Sequence, residues 1–219
     1  MPYVINRQTQ IKGDLLSEIP PGGMKIVHKD VFNMEMIYFF LHEWMVEFNW
    51  AAPGEPDWPE VLYLQREGAA GTELWIKWRF RKGGSEDQSP LTGNKNSEKT
   101  IFQWEMDMDW HVLGMKEVEI LVKGKKLKMN SAEVEIQFYP RIMLNPEFKK
   151  EDIFNRMRDF LMKRYFKKKI DYEEDQLYID ATRLQEAIKG YFKLETFLSE
   201  PAFERFYQTR TGEEPHGPI

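Results

Sequence analysis

The chain contains no cysteine. Disulfide stapling, thiolate nucleophiles and cysteine-ligated zinc are therefore excluded, and a reducing compartment suits the composition. Nor is there a run of about 18 apolar residues, the length that a membrane-crossing helix needs. The most apolar stretch, Met34 to Trp50, is broken by Glu35, His42, Glu43 and Glu47, and is expected to be a helix of the core. The opening residues MPYVINRQTQIKGD lack the apolar centre of a signal peptide. A cytoplasmic location, or a place in a particle assembled inside the cell, is the expectation. An excess of positive charge is missing as well: the net charge of −5 argues against a general nucleic-acid binder, which needs a basic surface. The glycines form neither a G-x-G-x-x-G turn nor a Walker-type loop, and the serines have no G-x-S-x-G context. His42-Glu43 is followed by Val46 where H-E-x-x-H needs its second histidine. No internal repeat is present. Catalytic residues, metal and cofactor all stand as none.

What the chain does have is the composition of a globular domain, 42% hydrophobic and 31% charged over 219 residues. Aromatic residues, at 14%, suit wide buried surfaces or partner interfaces. Asp30 is a plausible N-cap, and the apolar spacing of Met34, Ile37, Tyr38, Leu41, Trp44, Met45 and Phe48 predicts a helix near 31–48. From Val61 the period changes to two. Val61 to Leu64 reads as a short strand, and Leu74, Ile76, Trp78 and Phe80 mark one face of the next. Residues 82–99 are polar and rich in Gly, Ser and Asn, and are expected to be a mobile loop. Then Phe102, Trp104, Met106, Met108, Trp110 and Val112 alternate with Gln103, Glu105, Asp107, Asp109 and His111. Val134, Ile136, Phe138, Ile142 and Leu144 alternate in the same way with Glu133, Glu135, Gln137 and Arg141. Two shorter strands, 117–122 and 125–129, are placed between them, with Gly114 and Asn130-Ser131 as turns.

Asn145-Pro146 reads as a helix start, with Ile153, Phe154, Met157, Phe160, Leu161 and Tyr165 on one face. A second helical stretch carries Leu177, Ala181, Leu184, Ile188, Tyr191 and Leu198. The expected fold is therefore α+β. An antiparallel meander carries an N-terminal helix and a long C-terminal helical region on one face. One domain is expected over 1–199, with 200–219 a partly disordered extension.

Three functional readings follow. A solvated acidic face would make Asp107, Asp109, His111, Glu133 and Glu135 bland; held together, they would suit a divalent cation or acid–base work in a metal-dependent enzyme. The basic cluster Lys163 to Lys169 is the one hint of an anionic partner, and its plainer reading is the cationic end of a helix, neutralised by Asp171, Glu173, Glu174 and Asp175. The element order resembles that of helix-grip ligand carriers. This resemblance implies an apolar small molecule held under the last helix, with Trp75, Trp104 and Trp110 as lining candidates. The leading expectation is a non-enzymatic structural or assembly protein that self-associates into a homo-oligomer, particle or filament. Its support is the length of the strands and the aromatic tail residues Phe203, Phe206 and Tyr207.

Overall fold

The computed structural model describes residues 15–52, 58–85, 91, 101–122, 125–145, 160 and 164–195. Strands β1 (Leu15–Glu18) and β2 (Met24–Phe32) precede helix α1 (Met34–Glu47). Strands β3 (Glu60–Gly68), β4 (Gly71–Gly83), β5 (Phe102–Val122) and β6 (Lys125–Leu144) follow as a meander, and helix α2 (Lys167–Glu195) closes the described chain. The fold is α+β. The six strands form one antiparallel sheet in the order β1–β6–β5–β4–β3, with β2 also paired to β6. The strand pairs place β1 and β2 along one edge and leave β3 at the other.

The alternation read in β4, β5 and β6 is the inner face. Leu74, Ile76, Trp78, Phe80, Phe102, Trp104, Met106, Met108, Trp110 and Val112 are all buried, as are Val134, Ile136 and Phe138. They join Ile37, Leu41, Trp44 and Met45 of α1 and Leu177, Ala181, Leu184 and Ile188 of α2 in one core cluster. No helix among the described residues is long and apolar enough to cross a membrane.

Helix α1 starts later than its spacing implied. Residues 24–32 are a strand paired with β6 from Phe138 to Asn130, and the N-cap is Asn33, whose side chain accepts a bond from the Met36 amide at 3.1 Å. Asp30 instead accepts from the Val31 amide next to it. Charged residues on β2 hide its period, and nine-residue pairing with β6 overrides the helical spacing of the following run.

The expected turns at Gly114 and Asn130-Ser131 are likewise within strands. The strands β5 and β6 run on for 21 and 20 residues. At Gly114 the backbone takes φ 62° and the register with β6 shifts between Leu113 and Lys116, so the chain absorbs an irregularity and continues. Gly71 closes the β3–β4 hairpin directly against this kink, and a Cβ there would lie 2.8 Å from the Gly114 carbonyl. Asn130 sits inside β6 opposite Glu117, and its side chain accepts from the Met34 amide at 3.0 Å, adding a second cap to α1.

Candidate functional site

On the outer face of the sheet, residue parity places a row of cations on β4 directly opposite a row of acids on β5. Lys77, Arg79 and Arg81 pair in register with Asp109, Asp107 and Glu105. Arg81 reaches Glu105 at 3.1 Å, and Arg79 reaches Asp109 at 2.6 Å and Asp107 at 3.5 Å. From the other side Arg141 of β6 bonds Asp107 at 2.8 Å and Glu18 of β1 at 2.6 Å. Burial pulls the Arg141 guanidinium down, but Glu18 and Asp107 outweigh it and hold it above its ordinary value. Glu133 and Glu135 meet Lys29 and Lys25 of β2, and His111 faces Glu73 at 2.9 Å while stacking on Trp75.

The sequence candidates thus do not converge. Asp107 and Asp109 share Arg79, His111 goes to Glu73, and Glu133 and Glu135 go to the opposite edge. No group of three metal-ligating side chains occurs among the described residues. The face is not simply solvated either: Gln103, Glu105, Asp107 and Arg141 are buried. Adding EDTA or divalent ions is expected to leave the melting midpoint unchanged, because each carboxylate already has a cationic partner. A saturable stabilisation lost in Asp107→Asn and Asp109→Asn would contradict this assignment.

Inside the fold is a polar cluster that the sequence reading missed. Lys82 falls within the expected mobile loop, yet it is the last inward residue of β4 and only 1% exposed. Its ammonium donates to Asp180 of α2 at 2.8 Å and to the Phe48 carbonyl at 3.2 Å. It also lies over the rings of Trp50 and Trp104, at 4.7 and 5.0 Å. Burial pulls the Lys82 amine below the ordinary lysine value, with Asp180 opposing. One helical heptad before Asp180, Glu173 is 1% exposed and accepts from Trp104 Nε1 at 2.8 Å and from the amide and hydroxyl of Ser85. Glu173 is therefore no solvated neighbour of the basic cluster. Of that cluster, Lys167, Lys168 and Lys169 open α2, the end where the helix dipole disfavours cations, so the helix-terminus reading does not hold for them. The cluster Lys82–Asp180–Glu173–Ser85 ties α2 to the sheet.

The third feature is the sheet edge. Every residue of β3 from Val61 to Gly68 is exposed, on both faces of the strand. Val61, Leu62, Tyr63 and Leu64 stand 63%, 36%, 52% and 43% exposed. Its first residue is fastened inward: Glu60 accepts from Tyr38 Oη at 2.9 Å and from Trp78 Nε1 at 3.0 Å. Burial, then the bond to Glu60, holds the Tyr38 hydroxyl protonated well above its ordinary value.

Beyond Met115 and Asn130, β5 and β6 pair only with each other among the described residues, and project as a two-stranded ribbon with Leu121 71% exposed. Between this ribbon, the first turn of α1 and Tyr63 lies an open groove of about 490 Å³, lined by Met34, Glu35, Tyr38, Leu74, Met115 and Lys128 among others. The tail candidates Phe203, Phe206 and Tyr207, and Lys163, lie outside the described residues. No family model, no curated protein and no solved structure matches the chain.

Proposed function

We propose that the protein is a non-enzymatic assembly subunit that joins copies of itself through the free edge of β3. One observation carries the reading. β3 is nine residues long, contains no lysine or proline, and exposes four consecutive large apolar residues in its first half. Edge strands are normally shortened, charged or covered, because their open N–H and C=O groups recruit another strand. The opposite edge carries that protection, with Lys25 and Lys29 of β2 half and four-fifths exposed beside their glutamates. An edge left long and apolar is the kind that gains from pairing.

The rival reading, an apolar small molecule held between the sheet and α2, has less support. The space it would occupy is filled by Trp50, Trp78, Trp104, Phe102 and Phe138, each 1% exposed or less.

Light scattering across a concentration series tests the proposal. A strand-edge junction is small, so the series should reach several hundred micromolar, roughly the range where interfaces at the low end of the size scale still associate. The expected result is a mass that rises with concentration in the intact chain. Leu62→Lys with Leu64→Lys should hold the mass at that of one protomer. The same variant should melt within about 0.5 kcal/mol of the parent, since both positions are exposed. A strict monomer at every concentration would end the assembly reading.

A further inference from the structure

We propose that the β3 junction is a closed, two-fold pairing of β3 with the β3 of one second copy, in the register centred on Tyr63. This rests on the assembly reading above and adds the partner strand and its alignment. The two sheet edges differ in kind, one apolar and one guarded by Lys25 and Lys29. Head-to-tail growth would press the apolar edge onto the guarded one. A two-fold contact instead uses the apolar edge of both copies and leaves only the guarded edges outermost.

The axis runs perpendicular to the sheet, so outer faces stay on one side and opposed residues must share a face. Pairing with β4 sets Leu62 and Leu64 on the outer face, opposite Lys77 and Trp75, and Tyr63 on the inner face opposite Ile76. That restricts the axis to pass beside a residue, and three residues compete. Centring on Leu64 puts Leu62 against the partner's Arg66 and Val61 against the partner's Glu67. Centring on Leu62 uses Val61, where the strand register is irregular, and puts Leu64 against the partner's Glu60. It also shortens the pairing to Glu60–Leu64, because Pro59 has no N–H to give. Centring on Tyr63 sets Leu62 against the partner's Leu64 twice and Tyr63 against itself. Its three central pairs, Leu62 to Leu64, lie clear of the irregularity at Val61, and it joins both sheets into one.

The absence of native cysteine makes the register directly readable. Directly opposed residues lie about 4.5–5.5 Å apart between Cα atoms, within disulfide reach, whereas diagonal neighbours at about 7–8 Å are beyond it. Single variants Tyr63→Cys, Leu62→Cys and Leu64→Cys are oxidised as purified full chains, with Leu121→Cys, on the exposed ribbon, as the collisional control. Tyr63→Cys should give covalent dimer on the order of tenfold faster than the control, as intramolecular pairing does over collision. Leu62→Cys and Leu64→Cys should each stay near the control alone and cross-link when mixed with one another. Self-cross-linking by Leu62→Cys or Leu64→Cys, with Tyr63→Cys silent, overturns the register. A concentration-dependent mass with all three at control level overturns the β3–β3 pairing while leaving self-association intact. A chain that never exceeds one protomer in the scattering series removes both.

Discussion

Lys82→Met is expected to destabilise the protein by about 3–5 kcal/mol, the range for removing one partner of a buried ion pair. The loss is mostly the cost of what remains. Asp180 would keep a buried carboxylate without its 2.8 Å partner, and the Phe48 carbonyl would lose a donor. The double variant Lys82→Met with Asp180→Leu separates this from a packing effect. Removing both charges together should restore part or all of the stability, because paired desolvation costs can exceed the attraction they permit. Urea unfolding of the three forms, compared at constant m-value, reads the outcome. A single variant within about 1 kcal/mol of the parent would mean that Lys82 is solvated in solution.

Phe138→Ala should cost about 3–5 kcal/mol, the cost of emptying a large aromatic from a packed core. Phe138 is fully buried at the centre of β6, opposite Met24 on one side and Met108 on the other. Its cavity would open beside the long, regular pairing of β6 with β5, so little collapse can fill it. Leu121→Ala on the projecting ribbon is the contrast and should stay within about 0.5 kcal/mol. Equal effects of the two substitutions would mean that the strand faces are inverted.

The parts of the sequence that spoke clearly were those where one physical demand repeated. Between residues 102 and 112 and between 134 and 144, burial against helices forces every second residue to be apolar, so the inner face could be read directly. The polar cluster was legible in the same way but was passed over. Lys82 continues the inward parity of Leu74 to Phe80, and Glu173 and Asp180 fall on the helical seam of Leu177 and Leu184. A charged residue in an apolar register reads as the end of the pattern. Here it is a member of it, because its partner arrives from another element about a hundred residues away. Gly114 and Asn130-Ser131 read as turns because glycine and an Asn-Ser pair favour them, and in β6 the apolar parity also changes there: even-numbered from Ala132 onward, odd at Leu127 and Met129. In the fold that change marks where β4 and β2 stop flanking the pair and the ribbon leaves the core.

Local chemistry determined that this chain makes long amphipathic strands, a core helix with Ile37, Leu41, Trp44 and Met45 facing inward, and a helical end with Leu177, Ala181 and Leu184 facing inward. Those follow from periods of two and of 3.6, which any segment carries within itself. Only the tertiary structure decided that β1 and β2 flank β6, that Asp107 shares Arg79 with Asp109 and bonds Arg141, and that β3 is the last strand at one edge of the sheet among the described residues. Strand order is a property of which surfaces meet after the loops have closed. The run Val61 to Leu64 would read the same in the middle of a sheet as at its margin. Its proposed role as a joining surface rests on β4 covering one side of it while, among the described residues, no strand pairs with the other.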